Sequence, residues 1–160
     1  MDLSQVKCDL PYPEVNVTKD LSEARLILPN YAGRDSETTA ILTYAYQSYM
    51  TADLKKILEE IAIVEMTHHE MLGEAIVKLG GYPIIGSGCF WNGSFINYTS
   101  NPKVYLKNNI DGEKLAIKNY EKTILALNQR DLKLLLERII LDEEVHIKIF
   151  EELLLKYDET

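Results

Sequence analysis

Two stretches of the chain carry a carboxylate and an imidazole at a spacing that brings them onto one face of a helix. Glu65 and His68 lie in Ile61-Ala-Ile-Val-Glu-Met-Thr-His68, and Glu143 and His146 lie in Ile139-Ile-Leu-Asp-Glu-Glu-Val-His146. Both read Ile-x-x-x-Glu-x-x-His, and residues three apart on a helix are neighbours. Each stretch follows a second matching segment. Glu37-Thr-Thr-Ala-Ile-Leu-Thr-Tyr44 and Glu113-Lys-Leu-Ala-Ile-Lys-Asn-Tyr120 share the pattern Glu-x-x-Ala-Ile-x-x-Tyr. The interval from Glu37 to Glu65 nearly equals that from Glu113 to Glu143. The chain therefore reads as a duplicated helical hairpin with the same polar residues at matching depth.

Each Glu-x-x-His sits inside an apolar stripe, which aims it at the interior of a bundle. A buried carboxylate is very costly unless it is paired or coordinates a metal. Four glutamates and two histidines converging there would repel one another without cations, and two divalent or trivalent ions resolve the conflict. Mixed carboxylate and imidazole ligation suits iron or manganese. A lone Glu-x-x-His is more often a surface pair or a satisfied core pair. The duplication, with a matched upstream glutamate in each copy, is what favours metal. His69 faces a different direction from His68 and is not expected to be a ligand. Glu70 and Glu121 are expected in solvent or behind the ligands, and Glu113 is preferred to Glu121 by the repeat.

These residues need four long helices to hold them. Residues 1–20, with Pro11 and Pro13, read as an extended arm. Asp20 or Ser22 can cap a short helix to about Leu28, where Pro29 is expected to stop it. The first long helix starts after Asp35 or Ser36, both good N-caps, and runs to about Met50. The second starts at Thr51 or Asp53, carries the stripe Ile57, Ile61, Val64, His68, Leu72 and Ile76, and ends at Gly80-Gly81 before Pro83. From Tyr82 to Asn101 the chain is rich in Gly, Ser, Asn and aromatics, and reads as a long connection with a short strand near Ser94–Tyr98. The third long helix opens at Pro102 and runs to about Leu127. After a tight turn Asp131 is expected to cap the fourth. Two antiparallel hairpins joined by one long crossover make an all-α, ferritin-like four-helix bundle. The expected division is an arm with a short helix over 1–30 and the bundle over 31–160.

Composition agrees with one compact domain. The 160 residues are 46% hydrophobic and 26% charged, with a net charge of −8. An acidic chain of this kind is a poor fit to nucleic acid, which asks for a basic footprint. No stretch approaches the ~20 apolar residues of a membrane span, and no secretion signal opens the chain, so a cytoplasmic protein is expected. Cys8 and Cys89 form no Cys-x-x-Cys pair and read as two reduced, unremarkable thiols.

From Ser36 to Tyr157 these motifs resemble the ferritin-like superfamily, and within it the small bacterioferritin-like and manganese-catalase-like proteins. The resemblance implies that Glu37, Glu65, His68, Glu113, Glu143 and His146 ligate two metal ions, iron or manganese, with Glu65 and Glu113 bridging and Glu37 and Glu143 terminal. It implies that Tyr44 and Tyr120, the candidate catalytic residues, hydrogen-bond to ligands; the plain alternative is two ordinary core tyrosines. Met66 follows Glu65 as the haem methionine does in bacterioferritins. The same Glu-Met-x-His occurs in relatives without haem, so haem is the lesser expectation. The crossover around Cys89-Phe-Trp91 and the arm at Pro11-Tyr-Pro13 look more like manganese-catalase relatives. There is no rubredoxin-like pair of Cys-x-x-Cys motifs, so a peroxidase version would need a separate electron donor. Few residues follow His146, so the fifth helix of a cage is not expected, and a dimer or larger homo-oligomer is. The activity this implies is disproportionation or reduction of hydrogen peroxide, with oxygen as the other candidate oxidant. The alternative is iron oxidation and storage of the bacterioferritin type.

Overall fold

In the computed structural model, which describes residues 5–86 and 91–158, the secondary structure is helical throughout. Five helices follow one another: α1 (Leu21–Ala32), α2 (Glu37–Met50), α3 (Lys55–Lys78), α4 (Pro102–Ala126) and α5 (Arg130–Asp158). Helices α2 and α3 pair across a short turn, α4 and α5 pair likewise, and the long connection from 79 to 101 joins the two hairpins.

Local chemistry sets most boundaries. Asp20 caps α1 by accepting from the N–H groups of Ser22 and Glu23, and Ser36 caps α2 through Thr39 N–H. Asn101 caps α4, with Pro102 as its first helical residue. Gly80 takes φ +86° just beyond α3, a conformation that costs glycine nothing.

Four boundaries depart from the sequence reading. Pro29 does not stop α1 but lies inside it, in the last turn, and the helix runs on to Ala32. The lost proline N–H costs one bond there, while buried Asn30, Tyr31 and Ala32 pack inward. Gly33 then closes the helix with its N–H on the Pro29 carbonyl, so near that a Cβ at 33 would stand 2.4 Å from that oxygen. The expected boundary between 30 and 31 thus falls within α1. Neither Thr51 nor Asp53 caps α3, whose N-cap is Leu54 with no side-chain bond. Asp131 lies in the first turn of α5 and accepts from Asn16 N–H of the arm instead. The expected strand is a 3-10 turn at Gly93–Phe95, and no strand occurs among the described residues.

The apolar core is split. One cluster joins α1 to the lower halves of α3 and α5 through Ile27, Leu72, Ile76, Leu135 and Ile139. The other joins α2, α3, α4 and α5 through Leu58, Ile61, Tyr105, Leu106 and Phe150. Between them lies a buried polar layer of four glutamates, two histidines and an aspartate.

Candidate metal centre

All six side chains singled out from the repeat point into that layer, and each is buried to within a few per cent of full enclosure. His68 Nδ1 lies 3.0 Å from Glu65 Oε2, 3.4 Å from Glu143 Oε1 and 3.6 Å from Glu37 Oε2. His146 Nδ1 lies 3.1 Å from Glu65 Oε1, 3.1 Å from Glu143 Oε2 and 3.6 Å from Glu113 Oε1. Two groups of four result: Glu37, Glu65, His68, Glu143, and Glu65, Glu113, Glu143, His146. In each, one donor atom per residue lies within 4.8 Å of the others. Glu65 and Glu143 belong to both groups. The family resemblance implies Glu113 in the shared position and Glu143 at one end. In the structure Glu143 belongs to both donor groups and Glu113 to one.

Glu70, Glu121 and Met66 are exposed. His69 stacks on Tyr31, with ring centroids 4.1 Å apart. Cys8 is a free, half-buried thiol of the arm, while Cys89 lies outside the described residues.

Tyrosines tie the hairpins together crosswise. Tyr44 of α2 donates to Glu113 of α4, and Tyr120 of α4 donates to Glu37 of α2. Burial, and then the carboxylate each faces, pushes both phenols well above their ordinary pKa. They are therefore protonated donors that hold a carboxylate in place.

One functional neighbour was missed from sequence. Asp142, fully buried, accepts from His68 Nε2 at 3.0 Å and from Arg138 Nη1 at 2.7 Å. Burial works against its charge, but hydrogen bonds from His68, Tyr12 and Arg138 outweigh it and hold the carboxyl well below its usual range. The available signal was Arg138 one turn before Asp142, an i,i+4 pair at the inward edge of the stripe.

The cluster is electrostatically frustrated as it stands. Burial, then the charge of Glu65, raises Glu37 well above the carboxylate range. Burial, then Glu143 and Glu65, lifts Glu113 to about 8. Glu65 moves down: burial opposes this, but His146 and His68 prevail. Burial favours neutral imidazoles, yet Glu143 and Glu37 raise His68, and Glu65 raises His146. Glu37 Oε2 and Glu65 Oε1 are buried without a hydrogen-bond donor among the described residues. Oxygen atoms that lack a donor, in a site with four carboxylates, fit cations. Binding must displace the protons the cluster has taken up. Metal affinity should therefore rise with pH until Glu113 and the two imidazoles have released theirs. Calorimetric titration with manganese in buffers of different ionisation heat should register that proton release.

A cavity of about 160 Å³ opens onto this layer between α2 and α4, lined by Glu37, Thr43, Asn109, Gly112, Glu113 and others. Phe95 and Asn97 of the crossover line it too, and Trp91 Nε1 donates to Thr39 at 2.9 Å, pinning the crossover to α2. A Cβ at Gly112 would meet nothing within 4 Å. Gly112→Ala should therefore stabilise α4 by about 0.5–1 kcal/mol, the usual gain over glycine in a helix interior. Gly112→Phe should fill the cavity and slow entry of small reagents. Denaturant unfolding checks the first, and the rate at which a chelator strips bound metal checks the second.

Residues 36–159 match the ferritin-like domain family. The chain belongs to that family. The "Probable manganese catalase" of Clostridium acetobutylicum is 25% identical over 95% of this chain and 75% of its own. A crystal structure of a manganese catalase from Anabaena superposes with a TM-score of 0.81 at 25% identity, covering 94% of this chain and 80% of that one. A bacterioferritin of Rhodobacter capsulatus superposes with a TM-score of 0.76 at 23% identity over 89% of each chain. No helix among the described residues is long and apolar enough to cross a membrane.

Proposed function

We propose that this ferritin-like chain is a dinuclear metal oxidoreductase acting on hydrogen peroxide, holding two manganese or iron ions with Glu37, Glu65, His68, Glu113, Glu143 and His146. The observation that carries the reading is the pair of donor groups sharing Glu65 and Glu143, with buried carboxylate oxygens that have no hydrogen-bond partner among the described residues. Likeness to the two manganese catalases supports peroxide as substrate and manganese as the first metal to try.

When bound, two such ions supply redox capacity for two electrons, enough for peroxide to be reduced to water and, in the next half-cycle, oxidised to oxygen. The chain's own contribution is positional. Glu65 and Glu143, which belong to both donor groups, would hold both ions. Glu37 and Glu113 each serve one end, and the hydroxyls of Tyr120 and Tyr44 keep them from swinging into the cavity. The cavity between α2 and α4 admits a small oxidant to that carboxylate side, while the two apolar clusters close off the ends of the layer. Tyr44 and Tyr120 are thus positioning residues in this reading.

The test is a peroxide assay on protein loaded separately with manganese and iron. Oxygen evolution at two ions per chain supports the catalase form; peroxide loss only with an added reductant supports a peroxidase. No peroxide consumption by either loaded form sinks the proposal, and accumulation of many irons per chain in a large particle would replace it with storage.

A further inference from the structure

The two ends of the centre are not held alike. On the His68 side, Asp142 is gripped from several directions. Beyond His68 and Arg138, it accepts from the backbone N–H of Cys8 at 2.8 Å and from the Tyr12 hydroxyl at 2.6 Å. Arg138 is itself bound to the arm: its Nε donates to the Leu10 carbonyl and its Nη2 to the Cys8 carbonyl, each at 2.8 Å. The guanidinium lies 4.4 Å over the Tyr12 ring. That ring meets His68 edge-on, with centroids 6.3 Å apart. The arm between Cys8 and Tyr12 is thus one wall of the cage around Asp142.

On the His146 side none of this exists among the described residues. His146 Nε2 is buried and has no hydrogen-bond partner among the described residues. The duplication explains the difference. Asp142 immediately precedes Glu143 and reaches across to the histidine of the other hairpin. The residue that immediately precedes Glu65 is Val64, buried and unable to accept a proton. An imidazole presents Nδ1 to a cation when Nε2 carries the proton, and an acceptor on Nε2–H fixes that tautomer, orients the ring and raises its basicity.

We propose that the N-terminal arm is a positioning element for one metal position only, the one at His68, acting through Asp142, and that this position takes its cation first and more tightly than the one at His146. The inference rests on the dinuclear reading above. Linkage makes it reciprocal: if the docked arm favours the cation, the cation favours the docked arm by the same factor.

Full-length, metal-free protein titrated with cobalt(II), whose visible absorption reports its ligands, provides the test. Wild type should show two unequal steps. Asp142→Asn and Tyr12→Phe should each weaken the tighter step, by roughly ten- to a hundredfold for the former, the usual cost of removing an outer partner of a metal-bound histidine. The weaker step should be unmoved. Tyr44→Phe, which frees Glu113 at the other end, should weaken the weaker step instead. Hydrogen exchange at the Cys8 amide should slow when the first equivalent of cobalt binds, and Tyr12→Phe should abolish that protection. Tyr12→Phe removes one half-buried hydroxyl, so it keeps the test alive if Asp142→Asn does not fold. Two equal steps in wild type, equal weakening of both steps by Tyr12→Phe, or arm exchange indifferent to cobalt would overturn the arm's role while leaving the dinuclear centre standing. No cobalt uptake by wild type would overturn both.

Discussion

In the proposed dinuclear centre, Glu65→Gln should cost both cations and the peroxide turnover, while Glu37→Gln and Glu113→Gln should each cost one cation. The difference follows from where the oxygens point. Glu65 Oε2 is 3.0 Å from His68 Nδ1, and Glu65 Oε1 is 3.1 Å from His146 Nδ1, so each oxygen serves a different end. Glutamine matches glutamate in shape but replaces one oxygen with an NH₂ group, a donor with no lone pair for a metal. Whichever way the amide turns, one position loses a ligand and faces a donor, and the other loses the negative charge that offset its cation. Glu37 and Glu113 each lie in only one donor group, so the far group keeps its full set after either substitution. The measurement is the metal-to-protein ratio after loading and desalting, with helical content as the check on folding. Turnover by Glu65→Gln should drop by well over the ~10–100-fold that even outer-shell partners cost. Retention of both ions and full rate by Glu65→Gln would remove the shared position from the account.

Why the repeat exposed the centre, and why it hid part of it, has a physical basis. Ligands carried on helices must obey the helical period, so the proposed pairs Glu65 with His68 and Glu143 with His146 announce themselves at i,i+3. The upstream glutamates are legible because the second hairpin copies the first. Which carboxylates are shared is not written in spacing. It depends on how closely α3 approaches α5 relative to α2 and α4, a property of packing across the whole bundle. The arm was harder still. Tyr12 meets Asp142 across 130 residues of chain, and nothing in a Pro-Tyr-Pro segment announces that separation. Pro29 does not end α1, because a proline in the last turn forgoes one backbone bond while Tyr31 and Ala32 beyond it pack inward. Ser94–Tyr98 misled because β-prone side chains describe a half-buried surface as readily as a strand. Here they face the cavity and α2: Phe95 and Asn97 line the opening, and Tyr98 meets Tyr46 edge-on.

Metal loading should invert the sign of the protein's pH dependence. In the metal-free protein Glu113 has its folded pKa raised to about 8, and Glu37 is raised well above its ordinary value, both first by burial. A carboxyl whose folded pKa is raised binds its proton more tightly folded than unfolded. Its contribution is present below the unfolded value and is lost as pH climbs to the folded one. The raised imidazoles of His68 and His146 act in the same direction, losing their contribution above the ordinary histidine pKa. Glu65 and Asp142, both lowered, act oppositely, but their effect falls below the ordinary carboxylate range. Between pH 5 and 8 the metal-free protein should therefore lose stability as pH rises, by up to ~1.4 kcal/mol per pH unit for each titrating group. With cations bound, the same carboxylates are held ionised and protons become competitors, so stability should rise over that window. At free metal a thousandfold above Kd, each ion adds about 4 kcal/mol, or roughly 10 °C in Tm for a chain of this size. Thermal unfolding with and without manganese, at intervals from pH 5 to 8, gives two curves that should diverge as pH rises. Parallel curves would mean that the protons held by this cluster and the added cations do not compete for the same oxygens.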